Sequence, residues 1–148
     1  MRISTRSRYG IRLMINLAVN YSRGYSLLKD IAKDEEISEK YLSQIVIPLR
    51  RAGLLTAARG INGGYMLSSH PSNITAGQIV EILEGDLCVI ECIRDEDNNI
   101  CARSGNCASR ELWEGLGDKI RSFLNSVTLE ELAKSKLEKE QRMLEYSI

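Results

Sequence analysis

Aromatic residues make up only 5% of the chain, with one Trp and one Phe, so any core must be built mostly from aliphatic side chains. Proline occurs twice and glycine eleven times, which argues against collagen-like repeats and linker-rich sequence. No apolar run approaches the ~18 residues of a membrane span. The basic start (Arg2, Arg6, Arg8) runs into Arg12 and Asn16, which interrupt a signal-peptide core. Internal repeats and low-complexity segments are absent. What remains is a chain of 148 residues, 43% hydrophobic and 27% charged, enough for one packed domain or a small domain with an extension. A soluble, cytoplasmic protein is expected.

The net charge is zero but unevenly spread. Residues 1–67 carry 11 Lys/Arg against 5 Asp/Glu, and residues 68–148 carry 9 against 15, balances of +6 and −6. Such a division suggests one half that binds a polyanion and one that does not.

Residues 5–21 carry two apolar stripes at helical spacing, Tyr9, Leu13, Leu17 and Tyr21 on one side and Ile11, Ile15 and Val19 on another. A helix apolar on two sides needs two covers, and the second could come from a partner subunit. Ser26 is placed to cap a short helix over 27–34. A tight acidic turn, Glu35-Glu36-Ile37, follows. Ser38 is placed to cap a further helix that ends near Gly53, with Tyr41, Leu42, Ile45, Val46 and Leu49 on one face. Pro48 removes a hydrogen bond inside that helix and predicts a kink there or an early end. Two short helices around a tight turn, the second with a polar outer face, are helix-turn-helix organisation.

Residues 54–58 and 64–68 read as strands joined by the glycine-rich tip Arg59-Gly60-Ile61-Asn62-Gly63. That hairpin is a wing, placed to enter the minor groove beside the recognition helix. Ser38, Lys40, Tyr41, Ser43, Gln44, Arg50 and Arg51 are the candidate DNA-contacting residues of the helix, and Arg59, Gly60 and Asn62 those of the wing. Gln44 suits adenine, Ser43 suits several bases, and Arg59 suits a narrow minor groove.

Thr75 caps a predicted helix over 76–84, closed by Gly85. From about Cys107 a long helix begins, with an a/d seam at Trp113, Leu116, Ile120, Phe123 and Val127. Gly115 and Gly117 inside it cost ~1 kcal/mol each, so packing against a partner must supply its stability. Thr128-x-x-Glu131 opens a last short helix, and the structure of 136–148 stays open. The expected class is mainly α with a small β-hairpin wing: a winged helix-turn-helix over 1–85, a cysteine-bearing loop over 86–107, and a dimerisation helix with C-terminal tail over 108–148.

The four cysteines, Cys88, Cys92, Cys101 and Cys107, fall within 20 residues, with 3, 8 and 5 residues between them. In a cytoplasmic chain such a cluster points to metal or redox chemistry rather than a disulfide framework. Without a C-x-x-C pair or a nearby His, a structural zinc ribbon fits poorly, whereas thiolates suit soft metals and iron–sulfur clusters.

Together these residues resemble the family of bacterial winged-helix repressors that includes the iron–sulfur regulator IscR, the nitric-oxide sensor NsrR and the cysteine-metabolism regulator CymR. The resemblance is carried by Arg2-Ile3-Ser4-Thr5, Arg8-Tyr9-Gly10, Ile37-Ser38-x-x-Tyr41-Leu42-x-Gln44 and Leu49-Arg50-x-Ala52-Gly53-Leu54. It continues in the wing at Arg59-Gly60-x-x-Gly63-Gly64-Tyr65 and at Ile74-Thr75-Ala76-Gly77. It implies a homodimer on imperfectly palindromic double-stranded DNA, with the long C-terminal helix at the interface. It also implies a cluster, 2Fe–2S as in IscR, on Cys92, Cys101 and Cys107. The chain departs from the cluster-binding members in three places. Its first two ligand positions are further apart, Arg110 stands where IscR has a ligand histidine, and Arg8 stands where NsrR has an acid. The candidates for a fourth ligand are therefore Cys88, Asp95, Glu96, Asp97 and His70, with Cys88 first as the softest donor.

The expected function is transcription regulation through cluster occupancy, controlling cluster biogenesis genes, with no catalytic residue. The alternative within the family is a CymR-like repressor that senses through a protein partner or thiol oxidation. A small redox protein is the alternative of another class, and the wing and basic half argue against it.

Overall fold

The computed structural model describes residues 2–93 and 101–148. Its helices are α1 (Thr5–Val19), α2 (Leu28–Glu35), α3 (Glu39–Arg51), α4 (Ala76–Glu84), α5 (Arg110–Ser126) and α6 (Leu129–Tyr146). The strands β1 (Leu55–Ala58) and β2 (Gly64–Leu67) lie between α3 and α4 and pair antiparallel, Leu55 with Leu67 through Ala58 with Gly64. The mainly helical class with a hairpin wing is what the sequence predicts.

Hydroxyl side chains set several helix starts. Ser4, Ser38, Thr75 and Thr128 each accept a backbone N–H three residues on, at 3.2, 3.3, 3.2 and 3.2 Å. Thr75 and Thr128 complete capping boxes, in which Gln78 and Glu131 accept the cap residue's own N–H at 3.0 and 2.9 Å. These two caps lie side by side: Ala76 donates to the Val127 carbonyl at 2.8 Å and Leu129 to that of Ile74 at 2.9 Å. The start of α6 is thereby fixed beside the start of α4. Gly77 sits at the same junction, where a Cβ would lie 2.1 Å from the Asn125 side-chain oxygen.

Five local expectations need correction. Ser26 does not cap α2; Leu27 holds the cap position without a side-chain bond. The backbone of Ser26 instead pairs with Tyr65 of the hairpin, at 2.9 and 2.8 Å. The first helix stops at Val19 and passes into a tight turn over Tyr21–Arg23. The helix expected from Cys107 starts at Arg110. The last helix is long, 18 residues, because its Lys, Glu, Gln and Arg are good helix formers even where no face is buried. In α3 the helix runs on through Pro48 to Arg51, so of the kink or early end expected at the proline the early end does not occur, and Gly53 turns the chain at φ +80°.

The core is aliphatic. Leu13, Met14, Ile31, Leu42, Ile45, Leu49, Leu67, Ile79 and Leu129 are essentially solvent-free and come from β2 and every helix except α5. Each such side chain contributes roughly 1.5–3 kcal/mol of burial. Part of the second cover of α1 is α6 of the same chain: Leu129 and Ala133 are buried and Leu132 packs against the same core as Ile11 and Ile15.

One charge lies inside this assembly. Glu35, the last residue of α2, is only 7% exposed. Arg12 of α1 donates from Nε to its carboxylate at 3.2 Å and from its terminal nitrogen to the Glu35 carbonyl. Asn16 of α1 donates at 3.2 Å, and Lys136 of α6 closes the set. Burial opposes the charge, but the bonds from Lys136 and Asn16, the Lys136 charge and Arg12 outweigh it. The carboxyl is held below its ordinary value of 4.5. A depressed folded pKa stabilises the fold above the ordinary carboxylate range, and that stabilisation is lost as pH falls through the folded value. Glu35→Gln is therefore expected to cost roughly 3 kcal/mol in urea unfolding near neutral pH, since it leaves cations uncompensated. The gap to wild type should shrink as pH falls from about 7 to about 3. A gap independent of pH would contradict the assignment.

Candidate nucleic-acid interface and cysteine segment

The outer face of α3 is open. Ser38, Lys40, Gln44, Arg50 and Arg51 are exposed, and Tyr41 and Ser43 are half-buried. Among the described residues, none of Lys40, Arg50, Arg51 and Arg59 forms an ion pair, so each cation is available to a phosphate. The Ser43 hydroxyl donates to the Lys40 carbonyl at 2.6 Å and presents only its lone pairs outward. Tyr41 meets the ring of Tyr9 edge-on at 5.8 Å, and Arg12 stacks over that ring at 5.6 Å. The tyrosine thus holds α3 on α1 as well as bordering its outer face.

The hairpin is fastened to the end of α3. Leu54 donates to the Leu49 carbonyl at 3.0 Å, Ser68 to that of Leu54 at 3.0 Å, and the Ser68 hydroxyl to that of Gly53. Its other edge is held by the Ser26–Tyr65 pairing. Gly64, at φ +123°, makes that approach possible, since a Cβ there would lie 2.1 Å from the Ser26 carbonyl oxygen. At the tip Gly63 donates to the Gly60 carbonyl at 3.1 Å, leaving Arg59, Gly60 and Asn62 exposed. Ile61, 95% exposed, is a tip residue that sequence reasoning passed over. Its signal was an apolar side chain between glycines, where no core can reach it.

Cys92 is exposed and Cys88, Cys101 and Cys107 are half-buried; all four are free thiols. Cys88 donates to the Ile90 carbonyl at 2.9 Å. Cys107 stands 3.3 Å from the Ser109 hydroxyl, whose bond lowers the thiol pKa from its ordinary 9.0. Burial works against this, and the N–H groups of Ser109 and Arg110 and the Arg110 charge add to the lowering. Arg110 itself pairs with Glu114 at 2.7 Å. His70 is engaged at Nδ1 by Ser72 and lies edge-on to Tyr21 at 5.6 Å. Asp95, Glu96 and Asp97 lie outside the described residues. Among the described residues, no group of three or more His, Cys, Asp or Glu side chains is placed to hold a metal ion. The described donors therefore do not fit a cluster as they stand.

On α5 the predicted seam is only partly covered: Trp113, Ile120 and Val127 are half-buried, while Leu116 and Phe123 are 42% and 67% exposed. Phe123 borders a groove of about 520 Å³, almost wholly carbon, with Ile3, Ile11, Val80, Val127 and Leu132. No helix among the described residues is long and apolar enough to cross a membrane.

Residues 3–135 match the Rrf2 family, described as iron-dependent transcriptional regulators. The chain belongs to the Rrf2 family. It is 45% identical to the HTH-type transcriptional regulator CymR of Bacillus subtilis over 133 residues, 90% of each chain. It is 32% identical to the regulator IscR of Pectobacterium atrosepticum over 136 residues, covering 92% of this chain and 81% of that one. The solved structure of the B. subtilis CymR superposes with a TM-score of 0.77 at 44% identity, covering 91% of this chain and 98% of that one. The chain is accordingly an Rrf2-family transcriptional regulator with a winged-helix fold.

Proposed function

We propose that the protein is a homodimeric repressor that reads imperfectly palindromic double-stranded DNA with α3 in the major groove and the wing in the minor groove. The observation that carries this reading is the unpaired polar and cationic face of α3, continuous through Gly53 with a hairpin whose tip is exposed. Gln44 offers both an N–H pair and a carbonyl to an adenine edge, Ser43 offers an acceptor, and Arg50, Arg51 and Arg59 answer phosphates and the minor groove. The uncovered face of α5 and the adjoining apolar groove supply the contact between copies.

For the signal, we infer control of cysteine metabolism without a bound cluster, through a protein partner or thiol chemistry. The likeness to CymR over nine-tenths of both chains supports it, as does the lack of a converging donor set among the described residues. A cluster on Cys92, Cys101 and Cys107 is the second reading, favoured by the concentration of four free thiols in 20 residues.

Gln44→Ala is expected to lose about 1–3 kcal/mol on a specific site and little on random DNA, read by fluorescence anisotropy at fixed salt. Equal losses on both would make Gln44 a phosphate contact and remove the base-reading role.

Anaerobic reconstitution with iron and sulfide separates the two signals. The cluster-free reading predicts the same low iron content in wild type and in the Cys92/Cys101/Cys107→Ala variant. Iron and sulfide retained by wild type alone, with visible absorption, would establish the cluster reading instead.

A further inference from the structure

Beside the wing lies a cleft of about 490 Å³, a volume suited to a small metabolite. It opens between the C-terminal end of α1, the exposed side of α2 and the tip of the hairpin. Arg23 lines it from the turn after α1, and Asp30 and Asp34 line it from successive turns of α2. Leu27, Tyr25 and Ile61 supply its apolar surface.

Opposite charges that share a cleft can pair with one another. Here they do not. Among the described residues the Arg23 guanidinium reaches only the Asn20 side-chain oxygen, at 3.5 Å. Among the described residues neither Asp30 nor Asp34 forms an ion pair or a side-chain hydrogen bond. Both signs therefore line one open cleft without answering each other.

The charge arrangement selects the ligand. A phosphate or a polyanion is repelled by two carboxylates, and a bare cation leaves the guanidinium unanswered. A small molecule bearing an ammonium and a carboxylate answers both: its ammonium donates to Asp30 and Asp34, and its carboxylate accepts from the Arg23 fork. The apolar wall then takes a side chain. We infer that this cleft is a binding site for a free α-amino acid.

An occupant would touch α1, α2 and the wing tip at once. It would tie Ile61 and Asn62 to the helix-turn-helix body, and it would alter DNA affinity only insofar as it binds one wing placement better than another. The site does not depend on the DNA reading, and its test uses no DNA.

The purified full chain is screened against the protein amino acids, each at about 5 mM, by thermal melting and then by calorimetry. At least one is expected to raise the melting temperature and to give saturable heat. Its decarboxylated amine and its desamino acid should each bind at least roughly tenfold more weakly. Arg23→Ala and Asp30→Asn/Asp34→Asn should lose a similar factor while melting like wild type without ligand, because all three side chains are exposed. The amine and acid comparison on wild type keeps the test decisive should a variant fold poorly. Absence of binding by every amino acid, binding that survives both variants, or an amine that binds as well as its parent would overturn the assignment.

Discussion

A buried carboxylate is the constraint on which the arrangement of the helices turns. Glu35 cannot be dry and charged unless Arg12, Asn16 and Lys136 reach it together, and those residues stand on α1 and on α6, far apart in sequence. An unanswered charge in that position costs several kcal/mol, which favours joint packing of α1, α2 and α6. The consequence for the binding face is direct. Glu35 closes α2, Glu36 turns the chain at φ +52°, and α3 begins three residues later. The placement of α3 on α1 is then completed by the edge contact of Tyr9 with Tyr41, and the hairpin is held by backbone bonds to Leu49 and Ser26.

The sequence was readable where structure is decided locally. Ser38, Thr75 and Thr128 announce helix starts because a hydroxyl three residues before a free N–H is a short-range device. The hairpin was readable for the same reason, since glycines at 60, 63 and 64 bracket two apolar runs. Glu35 was not: in the chain it belongs to an acidic turn, and its burial depends on Lys136, 101 residues away. Ser26 looked like a cap because its type suits one, yet the nearer partner was the Tyr65 backbone across the hairpin. The length of α6 was hidden by the lack of an apolar face beyond Lys136, where Leu137, Met143 and Leu144 are largely exposed. Of the candidate site, the α3 and wing residues could be listed from spacing, but the Arg23, Asp30 and Asp34 cleft joins three segments and has no signature in any one of them.

The division of charge acquires a physical sense in this fold. The basic half carries α3 and the hairpin, whose cations form no ion pair among the described residues, while the acidic half carries α4, the cysteine segment, α5 and α6. The cysteines lead straight into α5, whose exposed Leu116 and Phe123 supply the proposed contact between copies. Any chemistry at those thiols is therefore one short step from the proposed interface, which would set the spacing of two recognition helices. A change there alters DNA affinity only if the two states space those helices differently.

Selection of bound duplexes from a random pool, read by sequencing, tests the central claim most directly: that two copies present paired α3 helices and wings to one duplex. The account predicts enrichment of imperfect palindromes whose half-site centres lie one helical turn or a whole multiple apart, ~34 Å per turn. Enrichment of single, non-palindromic sites, or none above random DNA, would contradict it.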